Sequence, residues 1–169
     1  MVEKHIVFDI DGVLRNLYPI VRRKFGLWSP NNYFDWDRKG INIYDLVKKD
    51  YNILVEAKPT RYIKFIQELH KREAIELWSW QPDDWIPYTR KWLGKHFDKW
   101  LPLWLKPDEK YKQLLKEKNT YLVEDNPNLP NYDRIILIDQ KYNQKVKAKH
   151  RVRTVKELKD KIKELKNES

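Results

Sequence analysis

The chain has no cysteine and a single methionine among its 169 residues. Disulfides, thiolate metal sites and a cysteine nucleophile are therefore excluded. It also lacks any apolar run near the roughly 20 residues that a bilayer-spanning helix needs. The opening residues, Met1-Val2-Glu3-Lys4-His5, mix acid and base and pass straight into a short apolar stretch. That is not the layout of a secretory signal. A soluble, cytoplasmic protein without a membrane partner is expected.

What the chain does have is charge. Lys and Arg total 35 against 25 Asp and Glu, a formal net charge of +10. Such a surplus makes nucleotides or nucleic acid plausible partners. A blander account is that many of these charges, from Lys141 to Lys166, are solvated helix and strand faces. High Lys and Glu content with one methionine is also a pattern of heat-adapted proteins. The length suits one catalytic core with a small inserted cap, and is too short for two full domains.

Along the chain, His5 to Ile10 is a short apolar run broken by Asp9, and reads as a buried strand ending in a turn at Asp11-Gly12. Residues 15–58 differ in character. Apolar and aromatic side chains (Leu17, Tyr18, Phe25, Trp28, Tyr33, Phe34, Trp36) are split by the turn-rich Ser29-Pro30-Asn31-Asn32, and a second helical piece runs from about Ile43 to Tyr51. This predicts a small helical insert without core strands. Thr60 is placed to cap a helix through His70. Ala74 to Trp78 predicts a second strand ending at Ser79, and Asp83 to Phe97 a helix. Leu101 to Leu105 is a short apolar segment, and Pro107 sits well in the first turn of a helix through Lys116. Tyr121-Leu122-Val123 and Arg134 to Ile138 predict two more strands, and His150-Arg151-Val152 a short fifth. Thr154 and Glu157 form a capping box for a last helix with Val155, Leu158, Ile162 and Leu165 in a narrow stripe. Strands alternating with helices predict an α/β fold with a parallel sheet and helices on both faces.

Ligands of open parallel sheets sit beyond the carboxyl ends of the strands. The first strand offers Asp9 and Asp11 there, the second Ser79, the third Glu124 and Asp125. Four carboxylates cannot share a small space as bare anions. A hard divalent cation resolves the conflict, and oxygen-only ligands suit Mg²⁺. One of the two aspartates can attack phosphorus while the other reaches the leaving-group oxygen. A dianionic phosphate also needs donors. Lys106 at a helix start and the hydroxyl of Ser79 are candidates.

These residues resemble the motifs of the haloacid dehalogenase-like (HAD) phosphatase superfamily. Phe8-Asp9-Ile10-Asp11-Gly12-Val13-Leu14 is similar to its first motif, and Ile75 to Ser79 to the second. Lys106-Pro107-Asp108 resembles the third, and Leu122-Val123-Glu124-Asp125 the fourth. The likeness spans residues 5 to 166. It implies a three-layer α/β/α Rossmann-like core at 1–14 and 59–169, with a cap at 15–58 after the first strand. It implies Asp9 as nucleophile and Asp11 as general acid and base. Ser79 and Lys106 would bind the phosphoryl group, with Lys110 the rival lysine. Mg²⁺ would be held by Asp9, the backbone carbonyl of Asp11, Asp125 and Glu124.

Within the superfamily, the start, the short cap and Arg90-Lys91-Trp92-Leu93 resemble small 5'(3')-deoxyribonucleotidases. The acidic pair departs from them: it is Glu-Asp, as in sugar-phosphate phosphatases and mutases, where those nucleotidases usually carry Asp-Asp. Trp80-Gln81-Pro82 after Ser79 is a second departure. The resemblance implies a phosphomonoesterase working through an aspartyl-phosphate on a small phosphorylated substrate, a nucleoside monophosphate first. The alternatives are a 3'- or 5'-end phosphatase for nucleic acid, a sugar-phosphate phosphatase, or a basic nucleic-acid-binding protein on the same scaffold without catalysis. The insert aromatics suit either a cap core or stacking on a base.

Overall fold

The computed structural model describes residues 4–26, 37–38, 41–98, 103–104, 109–129 and 133–167. The elements run β1 (His5–Phe8), β2 (Arg15–Asn16), α1 (Leu17–Phe25), β3 (Asp37–Arg38), β4 (Ile41–Asn42), α2 (Ile43–Lys49), α3 (Asn52–Glu56), β5 (Lys58–Pro59), α4 (Ile63–Arg72) and β6 (Glu76–Trp78). Then follow α5 (Ile86–His96), β7 (Leu103–Trp104), α6 (Glu109–Lys116), β8 (Thr120–Glu124), β9 (Ile135–Ile138), β10 (His150–Val152) and α7 (Val155–Asn167). Single 3₁₀ turns lie at Asp83–Trp85 and Lys141–Asn143.

Six strands form one sheet in the order β10-β9-β8-β1-β6-β7, with every pairing parallel. A parallel sheet is covered on both faces, so its strands read as continuous apolar runs. All four residues of β9 are buried accordingly. Alternation along β1 divides the core. Ile6 and Phe8 face one side with Trp92 and Leu93 of α5, Ile66 of α4, and Leu158, Ile162 and Leu165 of α7. Val7 faces the other with Trp78, Leu122, Leu137 and Leu114 of α6. Three layers result, as the strand–helix alternation predicts. Among the described residues no helix is long and apolar enough to cross a membrane.

The insert has an apolar cluster of its own, built from Leu17, Ile20, Val21, Ile43, Val47, Ile53 and Leu54 and closed by Trp85 from the core side. The chain passes into and out of it through the short antiparallel pair β2–β5, with Arg15 opposite Pro59. Two details differ from the sequence expectations. The insert carries a small antiparallel pair, β3–β4. Thr60 does not cap α4. Its hydroxyl donates to the Val13 carbonyl at 2.5 Å and accepts the N–H of Tyr62, two residues on, at 3.2 Å. It ties the neck to the first turn, because α4 begins only at Ile63. The Thr154–Glu157 capping box of α7 forms as expected, with reciprocal bonds of 3.1 and 3.3 Å.

Candidate active site

The strand order reverses between β1 and β8. Chain progress runs outward from β1 to β6 and β7, then returns to β8 on the other flank. This is the switch point at which open α/β sheets bind ligands. The register sets Phe8 beside Val123, and the Asp9 N–H donates to the Val123 carbonyl at 2.9 Å. The residues at the strand tips, Asp9 and the pair Glu124-Asp125, are thereby side by side. Carboxylate oxygens of these three buried residues all lie within 4.8 Å of one another.

Among the described residues, one ammonium enters the group. Lys110 on α6 donates to Asp9 Oδ1 at 2.7 Å and to Glu124 Oε2 at 2.5 Å. Burial works against its charge, yet the two carboxylates outweigh burial and hold it above the usual lysine range. Burial likewise pushes Glu124 up, but Lys110 and the loop donors win and keep it below the usual carboxylate value. Both Glu124 oxygens are engaged. Oε1 takes the N–H groups of Asp125 and Asn126 at 2.9 and 3.3 Å, and Oε2 takes the Tyr111 hydroxyl at 3.3 Å besides Lys110. Asp9 and Asp125 fare differently. Burial first, and the Glu124 anion second, push Asp9 up to about 7 against the pull of Lys110. The same two causes raise Asp125 well above its ordinary value, although the Tyr142 hydroxyl donates to its Oδ2.

Gly12 lets this cluster close. Its φ is +90°, a region costly for a residue with a side chain, and a Cβ placed there would lie 1.8 Å from Asp125 Oδ2. The turn is fixed by bonds from the N–H groups of Leu14 and Arg15 to the Ile10 carbonyl, both 2.8 Å.

That turn also folds Arg15 back onto Asp11. Its Nε reaches Oδ1 at 2.7 Å and a terminal nitrogen reaches Oδ2 at 2.9 Å, a bidentate pair. Gln81 Nε2 adds a third donor to Oδ2 at 2.8 Å. Arg15 is wholly buried, and its other terminal nitrogen bonds the Leu54 carbonyl of α3 at 3.1 Å and Thr89 Oγ1 at 3.2 Å. Thr89 in turn donates to Gln81 Oε1 at 2.5 Å. Asp11 is thus linked to the insert through one guanidinium.

Asp9, Asp11, Ser79, Lys110, Glu124 and Asp125 all line one cavity of about 80 Å³. Lys106 lies outside the described residues. At the walls stand four aromatics that the motifs do not point to, Tyr44, Trp80, Trp85 and Tyr111. Tyr44 of α2 lies 5.8 Å from the ring of Trp80 and 5.2 Å from that of Trp85. Trp80 is 53% exposed, and the buried Trp85 Nε1–H has no acceptor among the described residues. Burial and the nearby Asp11 and Asp9 anions push the Tyr44 hydroxyl up to about 12. Arg15, Gln81 and Tyr142 also escape the sequence reading. Only Arg15 carries a signal, four residues beyond Asp11 at the end of a tight turn.

The Asp9–Glu124–Asp125 group fits a small hard cation. Its donors are all carboxylate oxygens, and two of the three have their charge disfavoured by the others and by burial.

No family model matches the sequence, and no curated protein matches it. Solved structures do. A protein from Thermotoga maritima provisionally named a beta-phosphoglucomutase aligns over 95% of this chain and 99% of its own, at 18% identity and TM-score 0.55. A HAD family hydrolase from Deinococcus radiodurans R1, solved with bound phosphate and sodium, aligns over 96% of both chains at 13% identity and TM-score 0.59. At these identities the likeness establishes a shared architecture, so the chain has the α/β fold of HAD-type hydrolases.

Proposed function

We propose that the protein is a Mg²⁺-dependent phosphomonoesterase in which Asp9 carries the phosphoryl group. The observation that carries this reading is the buried meeting of Asp9, Lys110 and Asp125 at the switch point of the sheet. The HAD-type fold and the phosphate held by the Deinococcus hydrolase are consistent with it.

Lys110 occupies Asp9 Oδ1, leaving Oδ2 as the attacking oxygen. The new bond joins Oδ2 to phosphorus as the bond from phosphorus to the leaving oxygen breaks. Asp11 gives that oxygen a proton. In the second half, water attacks phosphorus, Asp11 takes back a proton, and the bond to Asp9 breaks to release phosphate. Three donors engage Asp11, two on Oδ2 and one on Oδ1, so a lone pair of Oδ1 is left to carry the transferred proton. Ser79 and Lys110 hold the phosphoryl oxygens, and Lys106 stays a candidate by sequence. Asp9, Asp125 and the Asp11 carbonyl hold the cation. Glu124, saturated by four donors, serves mainly to fix Lys110 and the Asp125 loop. When bound, Mg²⁺ neutralises charge on the phosphoryl oxygens.

The substrate class we propose is a nucleoside monophosphate. Tyr44, Trp80 and Trp85 offer flat faces at the cavity wall, and the Trp85 N–H suits an acceptor on the leaving group. The Asp9→Asn protein tests the mechanism. Mg²⁺-dependent hydrolysis of an aryl phosphate should disappear in it, and equal rates in both proteins would falsify the role of Asp9. A panel of nucleoside monophosphates and sugar phosphates tests the substrate. Faster turnover of the sugar phosphates would overturn that part alone.

A further inference from the structure

A second and larger cavity, of about 460 Å³, lies behind the Gly12 turn. Arg22, Arg61 and Lys141 line it together with Tyr18, Tyr62 and Tyr142, and no Asp or Glu is among its lining residues in the described chain. The carboxylates whose charge reaches Tyr62 are engaged elsewhere. Asp139 accepts from Arg151 at 2.7 Å, and Glu157 accepts the N–H groups of Arg153 and Thr154. The guanidinium of Arg61 stands 5.2 Å from the Tyr62 ring centre, and that of Arg22 5.9 Å from Tyr18. Each of these guanidinium groups is therefore presented beside an aromatic face. One hydrogen bond joins the linings of the two cavities. Tyr142 lines the second cavity and donates its hydroxyl to Asp125, which lines the first.

Guanidinium groups match phosphate oxygens in a bidentate fork, and the half-buried rings of Tyr18 and Tyr142 can accept a stacked base, whereas Tyr62 is buried. A volume of this size suits a nucleotide-sized ligand. We propose that this cavity is a second phosphate-binding site, which takes the phosphate of a nucleotide, free or within a single strand, apart from the phosphoryl group at Asp9. The +10 charge of the chain draws such ligands in, and this cavity gives them a place to dock.

The inference goes beyond the catalytic proposal and does not need it. Two probes that lack a phosphomonoester keep the first cavity out of the measurement. One is a fluorescent eight-residue deoxythymidine strand with hydroxyl ends, and the other a fluorescent 3',5'-cyclic nucleotide. Arg61 and Lys141 are both exposed, so the Arg61→Glu/Lys141→Glu double variant should fold. It should bind the responsive probe at least about tenfold more weakly. For the strand, the salt slope should fall by about 0.7 for each phosphate that the variant no longer neutralises. Aryl-phosphate turnover should stay unchanged. Lys159→Glu/Lys163→Glu makes the same charge change on the exposed face of α7, and should leave Kd within about twofold. Response to the strand alone identifies a nucleic-acid ligand, and response to the cyclic nucleotide alone a free one. The proposal is overturned if neither probe binds, if the Arg61/Lys141 variant binds as the parent does, or if both double variants lose affinity equally. Loss of hydrolysis in every protein, with probe binding intact, would sink the catalytic proposal and leave this one standing.

Discussion

Asp9 and Asp11 are two residues apart and live in opposite electrostatic company. Around Asp11 the charges balance: one carboxylate meets one buried guanidinium in a bidentate pair, with Gln81 as a neutral third donor. Around Asp9 they do not. Among the described residues, three buried carboxylates meet one ammonium, that of Lys110, which pairs with Asp9 and Glu124. Burying unbalanced charge costs several kcal/mol unless something completes the set. A protein tolerates that imbalance where a ligand supplies the missing charge. The unbalanced cluster is therefore where the proposed cation and phosphoryl group would be accommodated, and the balanced network needs no such ligand.

The sharpest way to break this contrast is Lys110→Met. With the one ammonium gone, the metal-free protein should lose about 3–5 kcal/mol at pH 8, the scale of an orphaned buried ion pair. Mg²⁺ should restore part of it, and urea titration with and without Mg²⁺ reads both. An unchanged midpoint would mean that the cluster carries no imbalance. Next comes Gly12→Ala, whose Cβ must displace Asp125. kcat/KM should fall by about a hundredfold, as for a catalytic group moved by an ångström. Mg²⁺ affinity should weaken in parallel, with the far-ultraviolet dichroism unchanged.

Arg15→Lys probes the balanced side. It breaks the bidentate pair and the reach to Leu54, at a cost of about 1–3 kcal/mol. kcat should fall while Mg²⁺ affinity, read by calorimetry, stays within about twofold. A matching loss of metal affinity would merge the two networks into one.

The mildest effect concerns pH. The ordinary value of Asp9 is 3.8, and in the folded metal-free protein it is about 7. Between these values the folded state holds the extra proton, so stability from this group declines as pH rises from about 4 to about 7. Asp125 acts in the same direction. Glu124, held low, acts oppositely, but only around and below its ordinary 4.5. Added Mg²⁺ should therefore raise Tm more at pH 8 than at pH 5. Equal shifts at the two pH values would count against carboxylate ligation.

The sheet was legible because buried parallel strands announce themselves. His5 to Phe8, Leu122-Val123 and Ile135 to Ile138 are apolar without alternation and end in acids. The acids at strand tips could be set together from topology alone, since one switch point gathers them. The lysine was harder. Two candidates stand four residues apart in one stretch of sequence, and only the packing of α6 on β8 decides which side chain reaches Asp9. Among the described residues that lysine is Lys110. Thr60 misled because a threonine before an apolar period is read as a cap, while here its hydroxyl is spent on Val13. Gln81 and Tyr142 gave no pattern. Their roles depend on loops meeting across the sheet edge, which no local periodicity encodes.

The bond from Arg15 to the Leu54 carbonyl has a mechanical corollary. Any swing of α3 away from the sheet tugs on the guanidinium that steadies Asp11. On the proposed mechanism, displacement of α3 and misalignment of the proton donor would therefore be a single event.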